Sequence, residues 1–119
     1  MISEPDYYIP HTPYVPRTVG EIVDLLASMT LSAPSFKDRL RHYDRNADTQ
    51  FGALNGGLDN VRKRIGEEAY AAVRALSDQA RALFEADPED KDPDNRGRKC
   101  FFEMEDILIA AVRRKRKEG

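Results

Sequence analysis

Leu58, Val61, Ile65, Ala69, Val73, Leu76, Ala80 and Leu83 recur three or four residues apart. Side chains at that spacing share one face of an α-helix, whereas a strand would need strict alternation. The pattern holds for about seven turns at 3.6 residues per turn. It stops at Asp87-Pro88, because proline fixes φ and lacks the N–H a helix interior needs. Phe101, Met104, Leu108 and Val112 then resume it. Residues 58–112 thus read as two amphipathic helices joined by an acidic, proline-broken loop. There is no internal repeat and no strand-like alternation, so the class is all-α: a compact bundle of four to five helices.

The rest of the chain is placed around that pair. Pro5, Pro10, Pro13 and Pro16 alternate with Tyr7, Tyr8, Ile9, Tyr14 and Val15. Proline also pushes the residue before it out of the helical region, so 1–17 is expected as an extended Pro/Tyr-rich N-terminal arm. Packing of this arm along its own domain is favoured over reach to a partner subunit. Residues 18–117 form one helical domain, with helices expected at about 18–30, 35–43, 48–86 and 97–116. Thr18 and Glu21 have the spacing of a capping box, and Ser35 can cap the short second helix. Asp44 to Gln50 is polar and reads as a loop. Gly52, Gly56 and Gly57 each weaken a helix by about 1 kcal/mol relative to alanine. Even so, Phe51, Leu54, Leu58 and Val61 keep helical phase, which favours a helix running through from near Asp48. Gly52 and Gly56 would then share one face and let another helix approach closely. A break near 56 or near Gly66 is the other arrangement, with Glu67 and Glu68 meeting the positive end of a new helix.

Composition narrows the function classes. At 119 residues the chain is one domain, and 40% hydrophobic residues support a folded core. A net charge of -2 describes neither a polyanion mimic nor a strongly basic nucleic-acid binder. The longest apolar run, 107–112, is far short of a membrane span. The opening residues lack the basic and then apolar stretches of a signal peptide, and Cys100 is the single cysteine. These features point to a soluble chain in a reducing compartment, most simply the cytoplasm.

No catalytic, cofactor or metal set emerges. Asp92, Asp94, Gly97 and Glu103 match positions 1, 3, 6 and 12 of a calcium-binding loop, but Arg96 occupies position 5, where an oxygen ligand is required. Nucleophile elbows, phosphate loops and His-Glu-x-x-His motifs are absent. Cys100 is a candidate nucleophile only if Arg98 and Lys99 lower its pKa and His42 serves as base; burial is its ordinary role. Glu103, Glu105 and Asp106 read as a solvated helix face.

Interaction surfaces remain. The last helix is apolar at Phe101, Phe102, Met104, Ile107, Leu108, Ile109, Ala111 and Val112, more than one face requires, so it offers a second face to its own core or to a partner. The expected function is a non-enzymatic protein-binding module using helix faces and the acidic loop. Glu85, Asp87, Glu89, Asp90, Asp92 and Asp94 are its candidate contacts, suited to a basic partner. Inhibitors, immunity proteins and adaptors share this size and composition, a likeness of type that no motif carries. One alternative is a nucleic-acid-associated regulator using Arg113, Arg114, Lys115, Arg116 and Lys117. Another is a subunit of a larger assembly, and self-association is compatible with all of these.

Overall fold

The computed structural model describes residues 14–37 and 46–118, with backbone alone at 117 and 118. The arm at 1–13, His42 and most of the helix expected at 35–43 lie outside the described residues. Five helices follow in order: α1 Val19–Ser32, α2 Ala47–Asn60, α3 Arg62–Ile65, α4 Glu67–Glu85 and α5 Arg96–Glu118. No strand occurs among the described residues. The chain is an all-α compact bundle in which α4 and α5 make the largest interface and α1 and α2 cover them.

Local chemistry sets the helix ends. The Thr18 hydroxyl accepts from the Glu21 amide at 3.1 Å. The Glu21 carboxylate takes the Arg17 amide at 2.8 Å instead of returning to Thr18. α2 begins at Ala47, four residues before Phe51, because Asn46 and Thr49 cap it reciprocally. The helix expected from near Asp48 thus starts one residue earlier, and of the polar stretch read as a loop only Asn46 precedes it among the described residues. The run expected over 48–86 divides at Val61 and at Gly66. Gly66 holds φ at +90°, a value open to glycine and costly for other residues. It ends α3 and starts α4, which runs back along α2, since Tyr70 bonds Asp59 and Ser77 bonds Asn55.

The core differs in detail from the sequence stripe. On α4 the fully buried positions are Ala69, Val73, Ser77, Ala80 and Phe84, and Leu76 and Leu83 are only partly covered. Ser77 is tolerated because its hydroxyl donates to Asn55 Oδ1 of α2 at 2.8 Å. Phe84 fits because Gly97 of α5 has no side chain; a Cβ there would stand 2.6 Å from Phe84 Cζ. Phe84 then joins Phe36, Phe51 and Phe101 in one aromatic cluster, with Phe36 5.2 Å from both Phe51 and Phe84 between ring centroids. Phe36 follows Ser35 in a turn where a helix start was expected, and its φ of +61° is costly for a bulky residue. Full burial of its ring among three others offsets a strain of about 1–2 kcal/mol.

Tyr14 to Arg17 crosses α2 at its glycines. Cβ atoms built on Gly56 and Gly57 would meet Val15 and Pro16 at 3.0 Å, and Asn60 Nδ2 donates to the Pro16 carbonyl at 2.8 Å. The close neighbour anticipated at Gly56 is thus the arm's end and not a helix, and Gly52 has nothing near it.

Candidate binding surface

The acidic loop between α4 and α5 is held together by its own carboxylates. Asp87 accepts from the amides of Lys91 and Asp92 at 2.9 Å each. Asp92 accepts from the amides of Asp94 and Arg96 and from Arg96 Nε, all at 3.0 Å. The Arg96 amide, then the Arg96 guanidinium and the Asp94 amide hold the Asp92 carboxyl down at about 2. Asp90 receives both ends of the Arg98 guanidinium, at 2.9 and 3.1 Å, and this lowers its pKa. Arg98 also donates to Asn95 Oδ1 and to the carbonyls of Thr30 and Ala33 at the end of α1. With its side chain only 16% exposed, Arg98 ties α1, the loop and α5 into one joint. Glu85 pairs with Arg81 and Glu89 with Lys91 at the surface. Of the six acidic residues, Asp94 alone has a carboxylate without a hydrogen-bond or ion-pair partner among the described residues, and it acts on Arg96 through charge alone.

The same geometry removes the activating role expected of Arg98 toward Cys100. Cys100 is buried, and burial first and Glu103 second raise its thiol pKa, the direction opposite to activation. The residues at the calcium-loop positions are engaged elsewhere. Asp92 is tied down as above, and Gly97 packs on Phe84. Among the described residues, no group of three or more His, Cys, Asp or Glu is placed to hold a metal ion.

The basic residues show the reverse situation. α1 and α5 run antiparallel, since the start of α1 meets the last turns of α5 and the end of α1 meets Arg98. Between them, at the end closed by α3, lies a groove of about 670 Å³. Its floor is Val19, Val23, Ile109 and Val112, and Arg17, Arg64, Arg113 and Arg116 stand around it against one carboxylate, Asp24. A smaller depression beside it is formed by Arg64, Lys115 and Arg116. None of these five cations has a side-chain partner among the described residues. Arg114 is exposed on the same terminal turns, and nothing is described of the Lys117 side chain.

The C-terminal basic run is therefore one side of a composite patch. Arg64 and Arg17 belong to it equally, and neither is near the run in sequence. Arg64 reaches it because Gly66 folds the short α3 onto α5. Ile109, one of the apolar positions outside the main period of the last helix, and Val112, a member of that period, supply the α5 side of the floor. Thr18, Val19 and Gly20 also line the groove, so the positive end of the α1 dipole adds to its field. A low-dielectric floor beside unpaired guanidinium groups concentrates positive potential and favours an amphipathic anion.

No family model matches the chain, and no curated protein or solved structure matches it.

Proposed function

We propose that this protein is a non-enzymatic protein-binding module whose recognition surface is the groove between α1, α3 and α5. The observation that carries this is the meeting of four arginines from three separate stretches of chain around an apolar floor, opposed among the described lining residues by Asp24 alone. Like charges are not gathered by folding itself, since their mutual repulsion costs stability. A partner segment with carboxylates at its rim and apolar side chains at its centre would satisfy both parts of the groove.

This moves the expected contact from the acidic loop to the opposite charge. Asp87, Asp90 and Asp92 already hold the loop and the α1–α5 joint, so changing them would alter the fold along with any surface. Nucleic acid remains the second possibility, favoured by the cations and disfavoured by Val19, Val23, Ile109 and Val112, which offer nothing to a phosphate backbone.

Fluorescence anisotropy separates the two. The probes are a labelled Leu/Glu amphipathic peptide and a labelled DNA duplex, titrated with the full chain at low and moderate salt. Saturable peptide binding that weakens with salt, and that is lost in an Arg113→Glu/Arg116→Glu variant, is expected. Binding of the duplex without the peptide would replace this function with the nucleic-acid one.

A further inference from the structure

Beyond the groove, exposed apolar residues recur along α1 and α5 on the far side of a stretch that carries carboxylates. Gly20 and Val23 line the groove from α1, and Ala27 and Leu31 continue their face at steps of four residues. On α5, Ile109 lines the groove and Phe102 lies seven residues earlier, two turns along the same face. Because the helices are antiparallel, the Leu31 end of α1 and the Phe102 end of α5 fall at the same end of the seam. That end is also fixed independently, by Arg98 bonding to the Thr30 and Ala33 carbonyls. Leu31 is 86% exposed, Phe102 48% and Ile109 39%. Apart from Tyr14 and Val15 in the arm, these are the exposed large hydrophobic residues among those described. Their collection along one inter-helix seam is not the scatter expected of a solvated surface.

We infer that this seam receives a single amphipathic α-helix of an acidic partner protein, laid along α1 and α5 with its carboxylate-rich end at Arg17, Arg64, Arg113 and Arg116. The inference deepens the proposed function and depends on the groove being the recognition surface. Charge selects the occupant. One end of the seam is strongly cationic, and Asp24, Glu105 and Asp106 lie on its middle stretch by helical spacing. A second copy of this chain, docked about a two-fold axis through that stretch, would place like carboxylates against one another and is disfavoured. A foreign helix can match both regions, with acid at one end and a cation or neutral polar residue near its centre. The seam is about 20 Å long, the length of α1, and accommodates about four turns of partner helix.

The test uses two synthetic peptides, one of about four turns with glutamates at one end and one holding only its glutamate-bearing half. Each is titrated against the wild-type chain, against Leu31→Glu/Phe102→Glu at the far end, and against Arg113→Glu/Arg116→Glu at the near end. The substituted side chains are exposed, and circular dichroism verifies the fold. The far-end variant should bind the long peptide about tenfold more weakly and the short one as wild type does. The near-end variant should lose both. If only the near-end variant is impaired for the long peptide, the groove stands and the helix-length seam is wrong. If neither variant is impaired, both ideas fall. If light scattering shows a dimer that Phe102→Glu converts to monomer, a second copy occupies the seam and the foreign helix is excluded.

Discussion

Gly97 and Gly52 are both helical glycines, yet the same substitution should act in opposite directions at the two sites. A Cβ at Gly97 would stand 2.6 to 2.9 Å from the Phe84 ring, inside the aromatic cluster, and that ring has no free side to move toward. Gly97→Ala should destabilise by about 1–3 kcal/mol through overpacking. At Gly52 nothing lies within 4 Å and the position is exposed. Gly52→Ala should stabilise by about 0.5–1 kcal/mol through helix propensity. Urea unfolding of the two variants measures both. Asp92 provides a pH prediction at the same scale. Its carboxyl is lowered from 3.8 to about 2 in the folded chain, chiefly by the Arg96 amide. A lowered folded pKa means its stabilisation is complete above the unfolded value of about 4 and is lost as pH falls toward about 2. Asp92→Asn should lower the urea midpoint near neutral pH and lessen its decline across that acid window.

Arg98 acts between elements, so its loss should be felt in a helix distant in sequence. Arg98→Ala leaves the Thr30 and Ala33 carbonyls and Asp90 without their donor, and a loss of about 2–4 kcal/mol is expected. Hydrogen exchange should rise at the end of α1 as well as in the acidic loop. Arg98→Lys should restore little, since an ammonium cannot span both carbonyls and a bidentate carboxylate. The helices themselves were legible from local chemistry. Thr18 with Glu21 marked the start of α1, and the apolar period marked α4 and α5. Finer features depended on contacts that no local pattern contains. Phe84 displaced Leu83 from the core because Gly97, thirteen residues later, opens a slot. Ser77 took a buried place because Asn55 accepts its hydrogen bond. The start of α2 did have a local signal, Asn46 with Thr49, but a threonine closing the cap is less distinctive than the glutamate of the usual box.

At the scale of the molecule, folding sorts the two charge clusters into different roles. The acidic loop turns inward onto amides and onto Arg96 and Arg98, and the basic groups gather at the opposite end of α5 without side-chain partners among the described residues. The sequence showed both clusters but not this difference, because side chains separated by a loop declare no partners in advance. The meeting of Arg17, Arg64, Arg113 and Arg116 was less legible still, since it requires the chain reversal between α2 and α4 and the antiparallel pairing of α1 with α5. The excess of apolar positions on the last helix was legible; Ile109 and Val112 of that set line the groove, and Phe102 lies outside it. The most direct test of that division of roles is a two-dimensional amide NMR titration of the full chain with the glutamate-bearing amphipathic peptide. Shifts confined to Arg17–Ser32, Arg64 and the 102–116 stretch are predicted, with the 85–94 loop unmoved; shifts centred on 85–94 and absent from the arginine groove would contradict it.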